Sequence, residues 1–232
     1  MGKTVGIFGQ SGEGKSSSIV INPDGNFNPK DYDGMNPKTT VIFNSDRKDL
    51  PFPGGESWVE NGNVFNISDV RDIKIKMRQL NSIPQVKAIY IDTVNGIMLD
   101  REMADKKKMT FDKWADLAYD IYDLISFCNT EMRNDIIVYL SGHVTVFTDV
   151  DGNEAKCLVT NGRKLEKIKL ESKLPIVLFT NVTRGQKGRN VYQFETQSNR
   201  STAKSPIGMF ENFVIPNSLS LVDKTIRGYY KI

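Results

Sequence analysis

The sequence predicts an α/β domain: a mostly parallel sheet flanked by helices, with an added β-hairpin. Three observations carry that expectation. Short β-branched, apolar runs recur at residues 4–8, 39–44, 87–92 and 135–142. Between several of them, apolar residues fall at the three- and four-residue spacing of amphipathic helices. A glycine-rich turn, Gly9-Gln10-Ser11-Gly12-Glu13-Gly14-Lys15-Ser16, follows the first run directly. Strands alternating with helices give a parallel sheet with right-handed crossovers. The 232 residues suffice for one complete α/β core, so 1–232 is read as a single domain.

Taken in order, residues 4–8 form a strand, and residues 16–21 read as the first turns of a helix after the glycine-rich turn. Residues 22–38, rich in Asn, Asp, Gly and Pro, make a long surface excursion. Residues 39–44 are a second strand, and 48–55 (KDLPFPGG) breaks regular structure. A short strand at 64–67 leads to a helix capped by Ser68 and ending near Leu80. Residues 87–92 are apolar on both faces, as a strand buried within a parallel sheet should be. Thr110 is placed to cap a long helix with Phe111, Trp114, Leu117, Ala118, Ile121, Leu124, Ile125 and Cys128 on its apolar stripe. The fourth strand covers 135–142. A hairpin follows, with Asp151-Gly152-Asn153 as its turn and 156–159 as a strand. Residues 174–182 and 191–196 are further strands, and Asn217 begins a last helix carrying Leu219, Val222, Ile226 and Tyr230.

Composition narrows the function classes. A net charge of +3, from 31 basic and 28 acidic residues, is too mild to imply a nucleic-acid partner by itself. Two cysteines, and a start that enters a strand without an apolar leader, fit a reduced cytoplasmic compartment. No apolar run approaches the ~20 residues of a membrane helix, so no membrane partner is expected.

The turn after the first strand fits G-x-x-x-x-G-K-[ST], the P-loop pattern. Its glycines let backbone N–H groups turn inward around phosphate, at the positive end of a helix. Gly9 through Ser17 (Gly9, Gln10, Ser11, Gly12, Glu13, Gly14, Lys15, Ser16, Ser17) are therefore the nucleotide-binding candidates. Lys15 would reach the β- and γ-phosphates, and Ser16 would hold Mg²⁺. Asp92 ends an apolar strand in the Walker B manner and is the second metal candidate; by itself it reads equally as a helix cap or turn former. Asp46, with Asp49 as competitor, follows the second strand on the ligand side of an open sheet and is a candidate for handling water, or else a solvated turn residue. His143, the single histidine, ends the fourth strand and is read as a γ-phosphate sensor, against the alternative of a merely packed residue.

This order of parts resembles the RecA-like recombinase core, and is most similar to the phage-encoded ATPases of that superfamily that accompany single-strand annealing and recombination. The resemblance is carried by GQSGEGKS, DLPFPGG (49–55), IDTVNG (91–96), SGH (141–143), GRKLEKI (162–168) and TAKSPIGMF (202–210). It implies ATP and Mg²⁺ as ligands, Asp46 where the family has a water-activating Glu, Asp92 as Walker B, and His143 coupling nucleotide state to DNA-binding loops after Asp92 and His143. It also implies Lys204 as a lysine finger acting on a neighbouring protomer, hence a homo-oligomer, with an annealing or single-strand-binding protein as partner in the cytoplasm of an infected bacterium. The family's filament-linking N-terminal segment is not expected, and Asp at 46 is one methylene shorter than Glu. Basic groups at Arg163, Lys164, Lys167 and Lys169, at Arg184, Lys187 and Arg189, and at 106–108 could follow single-stranded DNA, with Phe147 and Tyr192 as stacking candidates; such runs also occur as solvated faces.

Three other readings stand beside an ATPase. A nucleotide-gated assembly module would bind ATP and hydrolyse little. A small-molecule P-loop kinase lacks an arginine-rich lid here. A GTPase is weaker, because N-K-x-D is absent and Gly96 lies one residue too far from Asp92 for D-x-x-G.

Overall fold

The first strand, β1 (Lys3–Phe8), sits near the middle of an eight-stranded sheet and carries the glycine-rich turn off its C-terminal end. The computed structural model describes residues 2–104, 112–148, 152–160, 169–185 and 188–232. Beyond β1 it contains β2 (Thr40–Asn44), α1 (Gly55–Glu60), β3 (Val64–Phe65), α2 (Val70–Asn81), β4 (Ala88–Asp92), α3 (Val94–Ala104), α4 (Asp112–Glu131) and β5 (Ile137–Gly142). A hairpin of β6 (Val144–Thr148) and β7 (Glu154–Leu158) follows, then β8 (Ile176–Arg184), β9 (Asn190–Glu195), β10 (Val214–Pro216) and α5 (Leu219–Tyr230).

The sheet order is β10-β9-β8-β1-β5-β4-β2-β3. Six strands, from β8 to β3, run parallel, and β9 and β10 are added antiparallel at one edge. Parallel strands put their C-terminal ends along one edge, so the residues after β1, β2, β4 and β5 converge there. The hairpin forms a separate two-stranded sheet.

Strand alternation divides the core. Ile89 and Ile91 face α2, α3 and α4 through Ile73, Met77, Ile97, Ile121 and Leu124. Ala88 and Tyr90 face the other way, toward Trp58 of α1 and Leu219, Val222 and Ile226 of α5. The expected α4 stripe is buried at Leu117, Ile121, Leu124, Ile125 and Cys128. Thr110 and Phe111 lie outside the described residues, as do the side chains of Trp114 and Ala118.

Several local expectations change. The helix expected at 16–21 is one 3₁₀ turn, Ser17–Ile19. Asn22 precedes Pro23 and is steered out of the helical region, and its buried side chain instead binds the excursion, donating to the Asp31 carbonyl at 2.7 Å and accepting from the Asp33 N–H at 2.8 Å. The cap of α2 is Asp69, which accepts from Arg71 and Asp72; Ser68 donates to Asp100 at 2.6 Å. Ser218, not Asn217, caps α5, accepting from the Leu221 N–H. Helix α3 takes the place of the loop expected after Asp92, because the Thr93 hydroxyl accepts the Gly96 N–H at 3.0 Å and starts a helical turn. Among the described residues, no helix is long and apolar enough to cross a membrane.

Candidate functional site

The glycine-rich turn is closed upon itself before any ligand is considered. Glu13 Oε2 accepts from the Gln10 N–H and from the Thr180 hydroxyl, both at 2.7 Å. Gly9 packs so tightly on Thr180 that a Cβ there would collide with its hydroxyl. Gly12 and Gly14 have φ of +82° and +87°, a region that disfavours any side chain. Lys15 is buried, 6% exposed, and its Nζ donates to the Gly9 and Gln10 carbonyls, each at 2.8 Å. Burial lowers its pKa, opposed by the charges of Asp92, Glu13 and Asp46.

Asp92 is held from two sides. Ser16 Oγ donates to Oδ2 at 2.6 Å, and Ser141 Oγ donates to Oδ1 at 2.7 Å. Strand order explains the second contact: β5 lies between β1 and β4, so its terminal residues stand between the P-loop and the carboxylate. The Asp92–Thr93 peptide is cis.

Asp46 is more loosely placed. Thr93 Oγ1 lies 3.5 Å from Oδ1, and the exposed Lys48 amine lies 3.0 Å from Oδ2. The His143 N–H donates to Asn95 Oδ1 at 2.6 Å, and burial, followed by the charge of Lys15, lowers the imidazole pKa.

Together these groups line one cleft of about 400 Å³, with Ser11, Gly12, Gly14, Lys15, Ser16 and Ser17 on one wall and Asp46, Lys48, Asp49, Leu50, Pro51, Asp92, Thr93 and His143 around the rest. Asp49, the competitor of Asp46, is thus at the site as well. The chemistry fits a magnesium nucleotide. A buried ammonium resting on neutral carbonyls, beside Gly12 with open space around it, suits phosphate. A hydroxyl and a carboxylate in contact are hard oxygen donors of the kind Mg²⁺ takes, one or two from protein and the rest from water and phosphate.

Some candidates are not brought here. Lys204 pairs through its backbone with Val177, near the N-terminal part of β8, and its amine lies 3.3 Å from the Ser172 carbonyl. Within one chain it does not line the cleft. Lys169 Nζ stands 3.9 Å over the Phe147 ring of the hairpin. Arg184 and Arg189 lie around the β8–β9 turn, which projects beyond the cleft edge of the sheet. Arg163, Lys164, Lys167, Lys187 and residues 106–108 lie outside the described residues. Tyr192 is exposed, with its ring beside Gly14.

Sequence reasoning overlooked Ser141, Thr180, Lys48 and Asn95. Ser141 is a polar residue next to the end of an otherwise apolar buried strand, which marks its position but not its partner.

No family model and no curated protein matches the chain. Among solved structures it is similar to a KaiC-like protein from the hyperthermophilic archaeon Pyrococcus horikoshii, at 12% identity and a TM-score of 0.50, over 92% of this chain and 88% of that one. The fold is thus RecA-like, of the KaiC type: a mostly parallel central sheet flanked by helices.

Proposed function

We propose that the protein binds ATP with Mg²⁺ in this cleft, hydrolyses it, and uses the nucleotide state to bind single-stranded DNA in recombination, annealing or repair, as the resemblance to phage ATPases suggests. The observation that carries the nucleotide reading is the Ser16–Asp92 pair opposite the buried Lys15, all at one sheet edge. Lys15 exchanges its two carbonyls for β- and γ-phosphate oxygens, and the loop N–H groups hold the chain of phosphates. Ser16 and Asp92 would hold the metal, which neutralises charge developing on the phosphates. Ser141 keeps Asp92 aimed by donating to its Oδ1. Asp46 accepts a proton from the attacking water, and His143 contacts the γ-phosphate. Lys204 would act on the nucleotide of a neighbouring copy, and Arg184, Arg189, Lys169 and Phe147 are the described groups offered to DNA.

The second reading, a nucleotide-gated module with little turnover, is favoured by the Lys48 contact: an ion pair occupies the Asp46 oxygen that would otherwise accept from water. Steady-state ATP hydrolysis with and without single-stranded DNA, with Lys15→Ala as blank, separates the two. Stimulation by DNA supports the recombination reading. Tight ATP binding without turnover leaves the gated module.

A further inference from the structure

The turn after β4 reaches two places at once. On one side it meets Asp46: Thr93 lies against its carboxylate, and Gly96 is so close to Oδ1 that a Cβ there would collide. On the other side Asn95, in the first turn of α3, accepts the His143 N–H at 2.6 Å and donates Nδ2 to the Val159 carbonyl at 3.2 Å. Those two residues are the roots of the hairpin. His143 precedes β6, Val159 follows β7, and the Val159 N–H donates to the His143 carbonyl at 2.8 Å.

One carboxamide therefore spans both roots, with its acceptor on one and its donor on the other. Little slack surrounds it. A Cβ on Gly142 would meet Leu158 at 2.5 Å, Val94 at 3.1 Å and Asn95 at 3.2 Å, so a shift of the turn is passed to the hairpin instead of being absorbed in a void.

We propose that Asn95 is the positioning residue that locks the β6–β7 hairpin to the phosphate-facing turn, so that nucleotide binding reorients the hairpin root and His143 with it. This rests on the nucleotide-binding reading above. The surface that moves carries the exposed Val146 and the Lys169–Phe147 stack. The linkage requires an amide. Alanine supplies neither bond; aspartate keeps the acceptor for His143 and sets a carboxylate against the Val159 carbonyl.

The test is amide hydrogen exchange, with and without a slowly hydrolysed Mg-ATP analogue, on wild type, Asn95→Ala and Asn95→Asp, alongside ATP turnover. In the wild type, nucleotide changes exchange in β6 and β7 by roughly tenfold, the scale of one or two hydrogen bonds. In Asn95→Ala the analogue still binds with Kd within about threefold, that response is lost, and kcat falls about tenfold because His143 is misplaced. Asn95→Asp, which preserves size and the His143 bond, keeps the response at the His143 amide and loses it in β7, and it serves should the alanine variant not fold. A wild-type hairpin indifferent to bound nucleotide, or an undiminished response in both variants, overturns the proposal and leaves the nucleotide reading standing. A wild type that binds no nucleotide removes both.

Discussion

The two halves of the cleft are built to different standards. On the P-loop side three charged groups are fixed: Lys15 by two carbonyls, Asp92 by Ser16 and Ser141, Glu13 by Thr180 and the Gln10 N–H. Across from it, Asp46 has one long contact to Thr93 and one exposed lysine. Preorganised groups bind their ligand without reorganisation, whereas a loosely held base is in position only part of the time. On the proposed function this arrangement would favour firm binding over fast turnover, and each half can be probed separately.

The largest effect is expected from Lys15→Ala, which removes the buried charge. Turnover should fall by on the order of 10²–10³ and affinity with it, as loss of a preorganised electrostatic group does; unchanged nucleotide affinity by calorimetry would place the phosphates elsewhere. Next comes Asp46→Asn. It should lower kcat by about 10² while Kd for Mg-ATP stays within about twofold. Equal turnover would transfer the role to Asp49, the carboxylate of the cleft that has no other proposed part. Gly96→Ala pushes a methyl into Asp46 and should cost roughly tenfold in kcat with the fold intact by circular dichroism, because small misplacements near the reacting atoms are costly.

Lys48→Ala sharpens the comparison in the opposite direction. Freeing Asp46 from its ion pair should raise turnover, by less than about fivefold given the modest energy of an exposed pair. A fall instead would mean that Lys48 itself faces the phosphates.

The smallest effect concerns His143. Burial holds its pKa below the ordinary 6.5, so the unfolded chain takes up the proton first and stability declines as pH drops below that value toward the folded pKa. His143→Gln should flatten this part of the curve in urea unfolding between about pH 7 and 5; an unaltered slope would show that the imidazole does not titrate between the two states.

The binding half of the cleft was legible because it is local. Eight consecutive residues, GQSGEGKS, specify a backbone shape, and a carboxylate ending a run of apolar residues marks the adjacent strand. The partners that hold these groups were not legible, since Ser141 reaches Asp92 only because β5 lies between β1 and β4, and strand order is set by packing among distant segments. The same holds for helices. The α4 stripe announced itself by periodicity, but α1 and α3 did not: α1 is a single short stretch behind Pro53-Gly54, and α3 is apolar on several sides, so neither shows a contrast between faces. Capping was misread by one position at both α2 and α5, where adjacent polar residues, Ser68-Asp69 and Asn217-Ser218, compete for the task.

Arg227 gives the sheet a property of its own. From α5 it donates to the carbonyls of Lys87 and Asp135, at 2.8 and 2.9 Å, and to Asp223, binding the N-terminal ends of β4 and β5 to one side chain. The end of these two strands remote from the cleft is riveted, while their other end carries Asp92, Ser141 and His143. Both strands stay paired with their neighbours up to that end, at Phe8–Gly142 and Asn44–Asp92, so a single side chain ties the far end of the sheet into the same frame that holds the cleft.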